Sequence, residues 1–105
     1  MINIEYNRED LTLKMRGHAN AGEPGKDIVC AAASILAYTL GQNVRWMESA
    51  NVAKDVHIIL EEGEAVIMSK PVGERETLEC IYDTVTTGFT LLQGSYPDKV
   101  KFIEK

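Results

Sequence analysis

The chain carries two histidines and two cysteines, and one of each, His18 and Cys30, lies in the same short stretch of sequence. An imidazole within hydrogen-bonding reach of a thiol can accept its proton and later return a proton to a leaving group. The resulting thiolate is the competent nucleophile. The segment between the two residues contains Gly22 and Gly25. This pair is therefore a candidate site for cysteine-dependent hydrolysis, with His18 as general base and acid.

The position of Cys30 favours reactivity over simple packing. Asp27 is a suitable N-cap, and the residues after it predict a helix over about 28–48, so Cys30 falls in the first turn. The unpaired backbone N–H groups and the positive dipole end of a helix start are expected to lower the pKa of a thiol. N–H groups near Val29 and Cys30 could also form an oxyanion hole.

Two polar residues accompany the cysteine on the same helix. Asp27, Cys30 and Ser34 are spaced i, i+3 and i+7, which places them on one side. Asp27 either caps the helix or orients His18, and capping is favoured because an N-cap carboxylate already accepts backbone hydrogen bonds. Ser34 either donates a hydrogen bond near the site or bonds back to the preceding turn.

The glycines between the histidine and the cysteine predict a loop. Gly22 and Gly25, with Gly17 before them, would let this loop close over a peptide as a lid and exclude water. A plain surface loop is the alternative reading of the same residues.

The elements around this stretch predict one domain over residues 1–105. Alternating apolar residues indicate strands, and apolar residues at helical spacing indicate helices. The fold class is α+β: two helices packed on a mixed, largely antiparallel sheet, in the order β-β-α-β-β-α-β. The predicted strands are 1–6, 11–15, 56–60, 65–69 and 100–103, and the predicted helices are 28–48 and 74–93.

Each predicted helix has an apolar set expected to face the core. On the first helix the set is Ile28, Ala32, Ile35, Leu36, Leu40 and Met47. On the second helix it is Leu78, Ile81, Tyr82, Val85, Phe89 and Leu92.

Composition and charge restrict the function classes. The formal net charge of −5, with scattered lysines and arginines, disfavours a nucleic-acid-binding surface and is compatible with a basic partner. No apolar run reaches the roughly 20 residues that a membrane-spanning helix needs, and the first residues lack the form of a signal peptide. We therefore expect a cytoplasmic protein, in which a Cys30–Cys80 disulfide is disfavoured.

The other residues with chemically active or aromatic side chains suit structural roles. His57 is predicted on the solvent face of a strand, and Cys80 lies off the apolar face of the second helix. The histidines and cysteines lack the paired spacing of zinc ligands, so no metal or cofactor is expected. Tyr38, Trp46 and Met47 suit core or dimer contacts, although an aromatic side chain could line a pocket.

The stretch around the candidate pair resembles one known family. Gly17-His18-Ala19, followed by the run from Gly25 to Ser34, is similar to the ribosomal-processing cysteine proteases (Prp). The resemblance implies that His18 and Cys30 are the catalytic pair and that the protein is a homodimer. It also implies a substrate: the N-terminal extension of large-subunit ribosomal protein twenty-seven, cleaved after a Phe-containing segment to support ribosome assembly.

Two other functions stay compatible with the residues alone. One is a non-catalytic, ribosome-associated binding module in which Cys30 is structural. The other is a redox sensor, for which Cys80 would have to act as the resolving thiol.

Overall fold

The computed structural model describes residues 1–20, 22 and 27–105. It contains five strands and two helices in these ranges, in the order β-β-α-β-β-α-β. The strands are β1 (Ile2–Asn7), β2 (Thr12–Gly17), β3 (Ala53–Glu61), β4 (Glu64–Pro71) and β5 (Val100–Glu104), and the helices are α1 (Ile28–Ser49) and α2 (Glu76–Ser95). The predicted element order is confirmed.

The strands form one mixed sheet in the order β3-β4-β2-β1-β5. β1 pairs antiparallel with β2, and β2 and β3 pair antiparallel with β4. β5 returns from α2 to pair parallel with β1, so that Ile2 lies opposite Val100. The sheet is therefore largely antiparallel with one parallel edge, as predicted.

The helices cover one face of the sheet, and the alternation of each strand explains why. The apolar residues of β1 and β2, such as Ile4 and Leu13, point toward the helices and are fully buried. Glu5 and Lys14, which pair across the same two strands, point to the other face. This one-sided burial is typical of an antiparallel sheet with a single covered face.

The buried face of α1 differs in part from the predicted one. Leu40 is buried as predicted, and Leu36 and Met47 pack partly buried against the core, but Ile28 and Ile35 are 66% and 60% exposed. The other buried residues are mainly small: Val29, Ala33, Ala37, Gly41 and Val44. Small side chains let the helix approach the sheet closely, so that the Gly41 α-carbon lies over Ile58 and Leu60. Close packing, rather than side-chain size, selects this face.

The buried face of α2 matches the prediction. Leu78, Tyr82, Val85 and Phe89 are buried, and Ile81 and Leu92 pack partly buried against the same core. α2 begins at Glu76, two residues later than predicted. Its large aromatic residues fill the space over β1 and β5, where Tyr82 stacks on Tyr6 and Phe89 on Phe102.

An ion cluster joins the ends of β1 and β5 to α2. Arg8 makes two hydrogen bonds to the Asp83 carboxylate, at 2.5 and 3.1 Å, and lies 3.4 Å from Glu104. Its guanidinium also lies over the Tyr6 ring. Because these groups are only partly buried, the cluster contributes more to orientation than to the free energy of unfolding.

β3 begins at Ala53, three residues earlier than predicted. The prediction missed these residues because the start of the strand is irregular. A register shift against β4 lies between Lys54 and His57, and Asp55 has a positive φ of 50°. This irregularity breaks the apolar alternation that marks a regular strand. Across the described residues, neither helix combines the length and hydropathy needed to cross a membrane.

Candidate active site

The start of α1 is built on Asp27. Its carboxylate Oδ1 accepts hydrogen bonds from the backbone N–H of Val29 at 3.1 Å and of Cys30 at 2.9 Å. α1 begins at Ile28, so Cys30 is its third residue. The predicted capping role is confirmed. The same two N–H groups were expected to be available to an oxyanion, and this is wrong, because the Asp27 carboxylate occupies them.

The Cys30 thiol is half-buried against the core, and its surroundings act on its pKa in both directions. Desolvation raises the pKa above the usual range of a thiol, and the carboxylate of Asp27 raises it further. The backbone N–H of Ala19, which donates to Sγ at 3.3 Å, lowers it. The net direction is upward, mainly because of burial, and this is opposite to the acidification predicted for a thiol at a helix start.

His18 directly follows β2, and a tight backbone junction presents it. Gly17 has a φ of 111°, and its N–H donates to the Gly63 carbonyl at 2.9 Å. A β-carbon at position 17 would overlap the Met1 carbonyl oxygen. The His18 carbonyl accepts a hydrogen bond of 2.6 Å from the Met1 amino group. Only glycine fits at this junction, which fixes where the histidine backbone emerges.

The His18 imidazole lies on the turn between β3 and β4. Its Nε2 is 2.7 Å from the position that a β-carbon would take at Gly63, a residue with a φ of 76°. The predicted strands 56–60 and 65–69 leave 61–64 as the connection between them, but nothing in that pattern links the connection to the histidine. The pairing of β2 with β4 brings the two together, and it is invisible in local sequence patterns.

His18 and Cys30 line the same cavity, which has a volume of about 460 Å³. The cavity lies where the start of α1 meets the ends of the central strands. Its other walls are the turn at Gly63, a polar group of side chains and a group of apolar side chains. The polar group is Asn20, Asp27, Ser34, Glu61 and Glu62, and the apolar group includes Ile2, Met15, Ala33, Tyr38 and Ala65.

The other predicted residues divide between this cavity and the rest of the surface. Ser34 and Gly22 line the cavity with Cys30, whereas Gly25 lies outside the described residues, as does most of the proposed lid. Trp46 is exposed, and Met47 packs against the core. His57 and Cys80 are exposed, and both cysteines are free thiols. Within the described ranges, no three metal-ligating side chains cluster.

The two candidate catalytic side chains are brought to one cavity but are not joined directly. Among the described residues, the hydrogen bond to Sγ comes from Ala19, while the His18 imidazole is exposed and lies against Gly63. A free enzyme often holds its catalytic groups further apart than the complex does. The arrangement can support thiol-dependent acyl transfer once the imidazole turns toward Sγ.

Comparison with known proteins places the chain in a class and a family. The family described as "Cysteine protease Prp" matches residues 1–101, which is nearly the whole chain. The chain belongs to this family of cysteine proteases. Membership contradicts the alternative of a non-catalytic binding module. No curated protein is significantly similar to the chain in sequence.

Solved structures show the same fold. The ribosomal processing protease Prp of S. aureus, with a covalently linked product peptide, aligns over the full length of both chains, with 23% identity and a TM-score of 0.79. The structure of the same protease with a substrate peptide also aligns over the full length of both chains, with 22% sequence identity and a TM-score of 0.74. SMU.848 of Streptococcus mutans has 22% sequence identity and a TM-score of 0.65, and the alignment covers 98% of this chain and 90% of the SMU.848 chain.

Proposed function

We propose that this protease is an endopeptidase in which Cys30 is the nucleophile and His18 is the general base and acid. The observation that carries the proposal is that both side chains line one cavity, at the start of a helix that holds Cys30 in its first turn. Asp27 caps the helix and Ser34 lies further along the same wall. Neither of these two is needed to transfer a proton.

In the first half of the reaction, His18 accepts the thiol proton as Sγ attacks the carbonyl carbon of the peptide. The raised pKa of Cys30 means that the resting group is a thiol, so a base is required. The new S–C bond places negative charge on the former carbonyl oxygen. When that oxyanion collapses, the C–N bond breaks and the histidine gives its proton to the departing amine.

In the second half, the acyl group remains on Cys30 as a thioester. Water enters the site left by the amine and loses a proton to His18 as it attacks the thioester carbonyl. Collapse of the second tetrahedral intermediate breaks the S–C bond and returns the proton to sulfur. The products are a free carboxylic acid and the regenerated thiol.

We further propose that the substrate is the N-terminal extension of large-subunit ribosomal protein twenty-seven, and that the protease works in the cytoplasm, where it supports ribosome assembly. The S. aureus relatives are named ribosomal processing proteases. The cavity also suits a peptide with apolar and basic parts. Its floor carries Met15 and Ala65, and its rim carries Glu61 and Glu62, which form no ion pair with any residue the structure describes.

A peptide that spans this extension tests the proposal directly. We expect wild-type protein to cut it at one bond, seen by mass spectrometry, and Cys30→Ala and His18→Ala to lose at least about a hundredfold in rate. Cys80→Ser is the matched control because this thiol is exposed on α2, and it should cut normally. Cleavage by Cys30→Ala at the wild-type rate would refute the proposal.

We propose that the active form is a homodimer, with α1 at the interface. Ile28, Ile35 and Trp46 share one outward stripe of this helix and are 66%, 60% and 59% exposed. Exposed apolar residues in a continuous stripe mark protein–protein contacts. Sedimentation equilibrium should give a dimer for wild type and a monomer for Ile35→Glu. Thr87→Glu, at an exposed position on α2, is a charge-matched control outside the α1 stripe, and a wild-type monomer would contradict the proposal.

A further inference from the structure

The cleavage mechanism needs hydrogen-bond donors for the oxyanion, and three N–H groups in the first turn of α1 are already engaged. The N–H groups of Val29 and Cys30 both donate to Asp27 Oδ1, and the N–H of Ala31 donates to the Asp27 carbonyl at 3.0 Å. All three are therefore satisfied by the cap itself. A different part of the cavity wall has to stabilise the developing negative charge.

The backbone after His18 presents donors at the required place. The N–H of Ala19 points at Cys30 Sγ, 3.3 Å away, from a residue that is itself buried. The N–H of the next residue, Asn20, also acts on the thiol and lowers its pKa. Asn20 has a φ of 54°, in the left-handed region. Left-handed residues in such segments let successive N–H groups converge on an anion.

We propose that the backbone N–H groups of Ala19 and Asn20 are the catalytic anion donors of this enzyme. They stabilise the negative charge on Sγ as His18 removes its proton, and then the oxyanion of the tetrahedral intermediate. The proposal rests on the proposed function, in which Cys30 is the nucleophile. It also assigns Asn20 a role through its left-handed backbone conformation, which lets successive N–H groups converge on one anion.

The charge moves only a short way during the step. The Sγ lone pair forms the S–C bond, and the electrons of the carbonyl π bond move to oxygen, which is then bonded to the carbon next to sulfur. Donors aimed at the thiolate need to shift little to meet the oxyanion. Donors fixed in place before the reaction require no reorganisation when the charge develops.

The assignment of these donors also accounts for the position of His18 in the sequence, directly beside them. His18 directly precedes the two donors in sequence, so the base and the anion site belong to one continuous backbone segment. The same Gly17 junction that presents the imidazole fixes the start of the donor segment. Proton transfer and charge stabilisation are therefore positioned together.

The experiment deletes single N–H groups by amide-to-ester replacement. Cys30 is a natural junction for chemical ligation, so residues 1–29 can be synthesised with lactic acid in place of Ala19 and joined to recombinant 30–105. The joined chain carries Cys80→Ser so that only one thiol reports. An all-amide chain made in the same way is the reference. An ester at Leu11, whose N–H donates to the Arg8 carbonyl in a distant turn, is the matched control.

Two readouts are measured on each chain. The pH dependence of alkylation by iodoacetamide gives the Cys30 pKa, and peptide cleavage gives kcat. We expect the Ala19 ester to raise the pKa and to lower kcat by about 10²- to 10³-fold, the range for loss of one oxyanion donor. The Leu11 ester should change neither. Equal values for the Ala19 and Leu11 esters would overturn the proposal.

Two substitutions at Asn20 test the proposal independently if the ester chain does not fold. Asn20→Gly keeps access to the left-handed conformation, whereas Asn20→Val disfavours it. We expect near-normal kcat for the glycine variant and a loss of at least tenfold for the valine variant, and equal kcat values would overturn the proposal. If the reference chain cuts no peptide, the proposed function fails, while the Cys30 pKa still decides whether these N–H groups hold the thiolate.

Discussion

The imidazole of His18 rests on the α-carbon of Gly63, and its Nε2 lies 2.7 Å from the place where a side chain would begin. The imidazole of the proposed base can lie here only because Gly63, on a turn that is distant in sequence, has no side chain. The Gly17 N–H to Gly63 carbonyl hydrogen bond, at 2.9 Å, holds the two segments at this spacing.

Gly63→Ala is predicted to displace His18 and to impair cleavage. The new methyl group would occupy the space of the imidazole, and the positive φ of 76° adds backbone strain. We expect kcat/KM to fall by at least tenfold while the far-UV circular dichroism stays native. The reactivity of Cys30 toward iodoacetamide, which does not need the base to occupy this position, should change much less.

Gly73→Ala is the control for backbone strain. Gly73 also has a positive φ, of 156°, but a β-carbon there would meet no atom within 4 Å. Both variants should lose some free energy of unfolding, and only Gly63→Ala should lose activity. Equal losses of activity would show that strain, and not the position of His18, is responsible.

Asp27→Asn is predicted to lower the pKa of the Cys30 thiol. The carboxylate raises this pKa through its negative charge and a hydrogen bond, both of which favour the neutral thiol, so a neutral amide should shift the alkylation profile to lower pH. Asparagine is as good an N-cap as aspartate, so α1 should be little affected. An upward shift would contradict this assignment of cause.

Loss of the hydroxyl group is predicted to change the free energy of unfolding in opposite directions at the two stacked tyrosines. The Tyr6 hydroxyl is buried without a hydrogen-bond partner among the described residues, and burial raises its pKa to about 12. The Tyr82 hydroxyl bonds the buried Ser69 hydroxyl at 2.8 Å. In urea unfolding, Tyr6→Phe should be neutral or stabilising, and Tyr82→Phe should cost about 1–3 kcal/mol by leaving Ser69 unpaired. The reverse order would show that the pairing is misassigned.

The acidic rim of the cavity predicts a charge preference for the substrate. In Glu61→Gln/Glu62→Gln, KM for a peptide with basic residues beside the cleaved bond should rise a few-fold, with kcat unchanged. The difference from wild type should shrink as salt is added, since exposed charges are screened. Glu9→Gln/Glu74→Gln, whose side chains are exposed away from the cavity, should leave KM unchanged. A KM that is insensitive to the rim charges would exclude this role.

Local patterns predicted the elements of this fold because each element has a local cause. Asp27 caps α1, and the spacing of Leu78, Tyr82, Val85 and Phe89 marks the inner face of α2. The inner face of α1 was misjudged because alanine and glycine carry little hydrophobic signal. Ile28 and Ile35 carry a strong one, although they face outward.

The site was predictable only in part, for a related reason. Helix position placed Cys30 correctly, but its pKa depends on burial and on the contact with Ala19, which are tertiary properties. The contact of His18 with Gly63 depends on β2 pairing with β4, two strands separated in sequence by α1 and β3. No short pattern encodes a neighbour that distant.

The parallel pairing of β1 with β5 has a consequence for the order of folding. It joins the first strand to the last, so its loop-closure entropy is the largest of any strand pair in the sheet. Contacts between such distant residues slow folding and tend to form late. Ile2, a cavity residue, lies in that pairing, and the Arg8 cluster closes its far end. A newly made chain should therefore complete its cavity wall only as β5 docks, and peptide cleavage should appear in the slowest refolding phase.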